Sequence, residues 1–208
     1  MRPSERDRSA DLRRALPVVG AGVEASRAVI LVEGLSDLHA VEALARRCGR
    51  DLRAEGVSVV PMGGATNIGH FLEHFGPHGL GLELAGLCDA AEAGHFLRGL
   101  ERAGFGRNLT RPEMEALGFY VCIEDLEDEL IRALGVACVE QTVAAQGELG
   151  SFRILQKQPA QRGRAAEQQL RRFMGSRSGR KSRYARLLVD ALEPARVPRP
   201  LERALAHV

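Results

Sequence analysis

Four short apolar runs, each closing on a glycine turn or an acid, constrain this chain more than any other feature. They are Ala28–Val32, Val57–Val60, Leu82–Leu87 and Phe119–Ile123. Continuous apolar runs of this length, bounded by turn residues, suit strands buried on both faces, as in a parallel sheet. Between them lie Asp37–Arg47, a short segment carrying Ile68, Phe71, Leu72 and Phe75, and Glu92–Ala103, whose apolar residues fall at helical spacing. Ser36 is expected to cap the first of these helices, and Thr66 or Asn67 the second. Strand and helix alternate. The fold class predicted is α/β: a parallel sheet of about four strands flanked by helices.

After Leu126 the pattern changes. Glu127–Leu134, Val136–Gln146, Arg164–Met174, Arg180–Leu192 and Leu201–Ala206 read as helices, and no further strand is indicated. The organisation expected is a flexible leader over residues 1–24, an α/β core over 25–135, and a basic helical extension over 136–208 packed on that core. The charge follows the same division. Residues 151–208 hold fourteen Lys/Arg against four Asp/Glu, whereas residues 15–150 hold ten against twenty. An acidic body beside a basic region suits metal ions at one end of a site and a partner bearing phosphates at the other.

Composition excludes several classes. With 208 residues the chain can bury one full core. No apolar run is long enough to span a bilayer, and the first residues lack a secretory apolar segment, so no membrane partner is expected. The four cysteines, Cys48, Cys88, Cys122 and Cys138, show no Cys-x-x-Cys spacing and read as reduced thiols of a cytoplasmic protein. Aromatic residues make up 4% with no Trp, which disfavours a base-stacking platform. His70, His74 and His78 fall four apart, but Pro77 ends that helix, so a zinc site is not indicated.

The acids that remain gather at one kind of place. Glu33 follows the first run, Asp89 the third, and Glu124 and Asp125 the fourth. In an open parallel sheet the carboxyl ends of the strands lie along one edge, where ligands bind. Carboxylates crowded there repel one another unless hard cations lie between them, and oxygen-only ligands suit Mg²⁺ or Mn²⁺.

These residues resemble a known family. Val29-Ile30-Leu31-Val32-Glu33-Gly34-Leu35-Ser36-Asp37 resembles the first motif of Toprim domains, a strand running into Glu-Gly with an acid four residues past the Glu. Gly56–Asn67 is similar to the next strand and Gly-Gly turn in the nucleases of the OLD (overcoming lysogenization defect) family. Leu87-Cys88-Asp89 looks like the start of the Asp-x-Asp motif, Asp125–Leu130 like a later acidic helix start, and Ser178–Ala185 like a Lys-containing C-terminal helix. The likeness runs from about residue 26 to residue 190. It implies a Toprim-like (Rossmann-like) sheet and metal-assisted hydrolysis of nucleic-acid phosphodiesters with two Mg²⁺ or Mn²⁺ ions, DNA being favoured over RNA as substrate.

By the same resemblance Glu33, Asp37, Asp89 and Lys181 are the expected catalytic residues, and Glu33, Asp37, Asp89, Glu92, Glu127 and Asp128 the expected metal ligands. Arg162, Arg164, Arg171, Arg172, Arg177, Arg180 and Arg183 supply a basic surface for a phosphate backbone. Glu124 and Glu129 are read as exposed helix-start carboxylates, and Gly63 and Gly64 as allowing an unusual turn near the site.

Two departures from the family pattern stand out. The second acid of Asp-x-Asp is Ala91, with Glu92 one residue late. The only string resembling a nucleotide-binding loop, Gly175–Ser182, has Arg180 in place of its second Gly and no strand before it. The ATPase of the family is therefore expected on a separate chain, and a homodimer is left open. A nucleotidyl transferase, or a binding module that does not cut, are the competing readings, the second favoured by Ala91.

Overall fold

The computed structural model describes residues 23–208. Most of the expected leader, residues 1–22, lies outside the described residues. Strands β1 (Ala28–Val32), β2 (Val57–Pro61), β3 (Glu83–Asp89) and β4 (Phe119–Cys122) form one parallel sheet in the order β2-β1-β3-β4. The α/β class and the four strands are as the apolar runs require. The order is not sequential: β3 crosses β1 to pair on its far side.

Successive strand residues point to opposite faces, so each strand feeds two cores. Ala28, Ile30 and Val32 face one core, while Val29 and Leu31 face the other. Helices α2 (Ile68–Phe75), α3 (Ala93–Arg102) and α4 (Arg111–Ala116) cover the second face through Phe71, Phe75, Phe96 and Met114. On the first face lie α1 (Leu35–Arg47), α5 (Leu126–Leu134), α6 (Val136–Ala145), α7 (Leu149–Lys157), α8 (Ala166–Met174), α9 (Arg180–Ala191) and α10 (Arg199–Ala206). The basic C-terminal helices thus share a core with the sheet: Phe173, Tyr184 and Leu188 are buried with Ile30 and Leu44. On the second face Gly86 in β3 permits the close approach of Phe119. A Cβ there would stand 2.7 Å from the Phe119 ring and 3.0 Å from the Leu31 carbonyl oxygen.

Several local expectations need correction. The N-cap of α1 is Gly34 rather than Ser36, and the Asp37 carboxylate accepts the Gly34 N–H at 3.0 Å. Asn67 makes no side-chain cap; it donates to the Met62 carbonyl and ties the Gly63-Gly64 turn, whose φ angles are 71° and 123°. Helix α4 begins with a Thr110–Glu113 capping box and Pro112 in its first turn, a signal present in the sequence but not read as a helix. Helix α7 carries only Phe152 and Leu155 as buried residues, too short a pattern to stand out.

Helix α9 is held at both ends. Near its C-terminus Arg47 donates to the carbonyls of Val189 and Leu192, the first of which also accepts the Leu192 N–H that closes the helix. At its N-terminus Arg180 is 4% exposed, lies 4.1 Å from the centroid of the Phe173 ring, and donates to Glu148 at 3.0 Å. These anchors set where the next residue, Lys181, projects.

Candidate carboxylate site and basic cleft

Parallel pairing brings the ends of β1, β3 and β4 side by side, and the acids with them. Glu33, just beyond β1, accepts the N–H of Asp89 through Oε1 at 3.0 Å, so the two strand ends are joined at the site. Asp37 stands one helical turn later in α1. Glu127 enters from the first turn of α5, whose N-cap is Asp125. Lys181 reaches across from α9 and places Nζ 3.0 Å from Glu127 Oε2.

The charges of these groups are strongly coupled. Burial raises the Asp89 carboxyl to about 8, aided by the negative fields of Glu33, Asp125 and Asp37 and opposed by Lys181. Burial likewise raises Asp37 to about 7; Glu127 and Glu33 add to the rise, while the Gly34 N–H and Lys181 oppose it. Glu33 is pushed upward by burial and by its neighbours Glu92 and Asp125, against the Asp89 N–H and Lys181. Glu127 is raised chiefly by burial, with Lys181 pulling the other way. Lys181 itself stays above the ordinary lysine value: burial would lower it, but Glu127, Asp37 and Asp125 outweigh that.

Glu127 is the extreme case. It is 1% exposed, and neither carboxylate oxygen has a hydrogen-bond partner. The Lys181 contact is close enough for an ion pair but is not aligned as a hydrogen bond. A buried carboxylate left in this condition is costly unless a cation satisfies it. The donor set is all oxygen and anionic, the chemistry of Mg²⁺ or Mn²⁺ rather than zinc. Among the described residues, however, no three His, Cys, Asp or Glu side chains stand close enough to hold one ion as placed. The residues fit a hard divalent cation in donor type and charge, and at Glu127 in unmet bonding capacity.

The other expected site residues divide. Glu92 adds its negative field to Glu33 and lies 3.5 Å from His95. Asp128 turns to Arg132 at 2.7 Å, on a different side of α5 from Glu127. Glu129 is not an exposed acid; it is buried, accepts the Ile123 N–H at 2.8 Å and pairs with Arg132. Glu124 is exposed, as expected.

Among the basic residues, Arg164, Arg171, Arg172 and Lys181 line one open cleft of about 530 Å³ with Asp125 and Glu127. Arg162 and Arg177 are exposed outside it. Arg183 pairs with Glu148 at 2.5 Å. Arg180, expected on the surface, is a buried structural cation and does not face solvent. Asp125 was expected among the acids at the strand ends but not as a metal ligand or catalytic residue. It is buried, caps α5 through the Asp128 N–H and binds Arg171 Nε at 2.6 Å. An acid between a strand and an apolar helix start was the only sequence signal for it.

Cys88 and Cys122 flank the strand ends from within the core, and burial pushes both thiols well above the usual cysteine range. They are therefore inert as nucleophiles. Among the described residues no helix is long and apolar enough to cross a membrane.

Residues 26–90 match the family model for the Toprim domain of overcoming lysogenization defect protein-like proteins. The whole described fold is similar to the C-terminal region of the Xanthomonas campestris pv. campestris OLD protein, with a TM-score of 0.71 and 25% identity over 90% of this chain and 94% of that one. A second structure of the same region gives 0.67 and 26% over 88% and 94%. The C-terminal region of the Burkholderia pseudomallei OLD protein shares the fold at 0.68 and 22% identity, over 88% of this chain and 96% of that one. No curated protein sequence matches the chain significantly.

Proposed function

We propose, from the premise that residues 26–90 are an OLD-like Toprim domain, that this chain hydrolyses phosphodiesters of nucleic acid, DNA in particular, with the help of Mg²⁺ or Mn²⁺. The family relation points to nucleic-acid phosphodiester chemistry in general. The observation that carries the finer reading is Glu127, a buried carboxylate without hydrogen bonds, set among Asp37, Asp125 and Lys181 beside Glu33 and Asp89.

In this reading Glu33, Asp37 and Asp89 hold a divalent cation, Glu127 holds a second, and Glu92 supports Glu33 where the family's second acid is replaced by Ala91. When bound, such ions activate water and stabilise charge on the scissile phosphate and the leaving oxygen. The chain's own groups supply the rest. Glu33, tethered through Oε1 by the Asp89 N–H, serves as a ligand or as the group that accepts a proton from water. Lys181 offers a positive charge to the developing negative charge of the phosphate. Arg164 and Arg172 contact flanking phosphates without reading sequence. Asp128 and Arg180 have no part in this reading, because each is committed to another partner.

The test is incubation of supercoiled plasmid with the protein in Mg²⁺ or Mn²⁺, beside EDTA and the Glu33→Ala variant. Metal-dependent nicking that falls about 10²-fold or more in the variant is expected. A folded protein that binds plasmid and cuts it in neither metal would overturn hydrolysis in favour of a binding module that does not cut, the reading that Ala91 favours.

A further inference from the structure

The basic cleft and the carboxylate site are not independent, because the same side chains belong to both. Lys181 lines the cleft but lies 3.0 Å from Glu127. Arg171 lines it too, yet its Nε is 2.6 Å from Asp125 and its Nη1 3.4 Å from Glu124. Among the described residues no carboxylate pairs with the other two cleft cations, Arg164 and Arg172. Half of the cleft's positive charge is therefore turned inward as counter-ions to the acids.

These two inward cations are the easily exchanged kind. Their side chains are 48% and 39% exposed, on long flexible stems, whereas Glu127 and Asp125 are almost wholly buried. A buried carboxylate with two unbonded oxygens is poorly served by one half-exposed ammonium. A divalent cation carries twice the charge in a compact sphere and binds oxygen directly. Once it neutralises Glu127 and Asp125, the attraction that draws Lys181 and Arg171 inward is largely cancelled.

We propose that Lys181 and Arg171 are exchangeable counter-ions: a divalent cation taken up by Glu127 and Asp125 releases both side chains to bind nucleic-acid phosphates in the cleft. Cation and nucleic acid then bind with positive cooperativity, each strengthening the other by the same factor. Arg171 becomes a substrate-binding residue only when the cation is present. The inference rests on the functional reading above and adds to it how the site is loaded.

The salt dependence of binding reads this directly, without catalysis. Each phosphate contact contributes about 0.9 to the slope of log affinity against log salt for duplex DNA. A fluorescent 20-base-pair DNA duplex is titrated with the full chain across a NaCl series, in EDTA and in a fixed concentration of Ca²⁺. Ca²⁺ itself binds DNA, so wild type and variant are compared within each medium. Arg171→Gln is expected to lower the slope by about 0.9 in Ca²⁺ and to leave it unchanged in EDTA. Arg171→Lys should restore the Ca²⁺ slope, since it keeps the charge. With wild-type binding intact, an equal drop in both media would mean that Arg171 is free to bind phosphate without a cation, and no drop in either would mean that it never leaves Asp125. Either result overturns the exchange and leaves the functional reading standing. Failure of the wild type to bind duplex in either medium at low salt would overturn both.

Discussion

Asp37→Asn separates the cost of the carboxylate site from its use. Asp37 is raised from 3.8 to about 7, chiefly by burial and then by Glu127. About three pKa units at about 1.4 kcal/mol each set an upper bound near 4 kcal/mol. Because Asp37 is partly exposed and shares its field with Glu33, Glu127 and Lys181, about 1–3 kcal/mol is the working expectation. A carboxyl that the fold keeps protonated binds more protons folded than unfolded between its two pKa values. Stability is thus whole below 3.8, falls as pH rises to about 7, and carries the full cost above that. Asn removes the charge but keeps an oxygen for the Gly34 N–H, so the start of α1 is retained. In EDTA at pH 8 the variant should therefore melt higher than wild type, by about 2–10 °C for a chain of this size. The gain should fall below half at pH 5 and vanish near pH 4. In Mn²⁺ the order should reverse, because wild type gains from the ion and the variant loses a ligand. Thermal melts at pH 4, 5 and 8, with EDTA or Mn²⁺, measure all of this. A variant less stable than wild type at pH 8 in EDTA, or a difference that ignores pH, would refute the electrostatic account of the site.

Further substitutions separate stability from DNA binding. Glu148→Ala strips the partner from Arg180, which is 4% exposed, so urea unfolding should show a loss of about 3–5 kcal/mol. Gly86→Ala drives a methyl group into Phe119 and the β1 backbone, and should cost about 1–3 kcal/mol in the same assay, with no change in metal preference. Arg172→Ala should lower the salt slope of DNA binding by about 0.9 without changing the melting temperature by more than a degree or two. Arg180→Ala should do the opposite, melting early from a lost core cation while a folded fraction keeps the wild-type slope. Equal effects of the two on DNA binding would contradict the burial of Arg180.

The elements and the acids at their ends were legible because both are local. Continuous apolar runs encode strands buried on two faces, and an acid directly after such a run must lie at a strand's carboxyl end. Glu33 and Asp89 are reached in that way, and Asp37 only through the likeness of residues 29–37 to the first Toprim motif. Beyond Leu126 the chain, α7 excepted, was legible as helix but not as geometry. A helix turns about 100° per residue, so neighbours with the same chemistry point to different places. Glu127 enters the site while Asp128 pairs with Arg132. Arg180 sinks against Phe173 while Lys181 reaches Glu127.

The phase of each helix is set by contacts distant in the chain: Arg47 on the end of α9, and Glu148 on Arg180. The sheet order β2-β1-β3-β4 is of the same kind, since no run states which neighbour it will pair with. Residue chemistry and local period determined which groups could form a site. Packing between segments far apart in sequence decided which of them face it, because only the folded core fixes the rotation of a helix about its own axis.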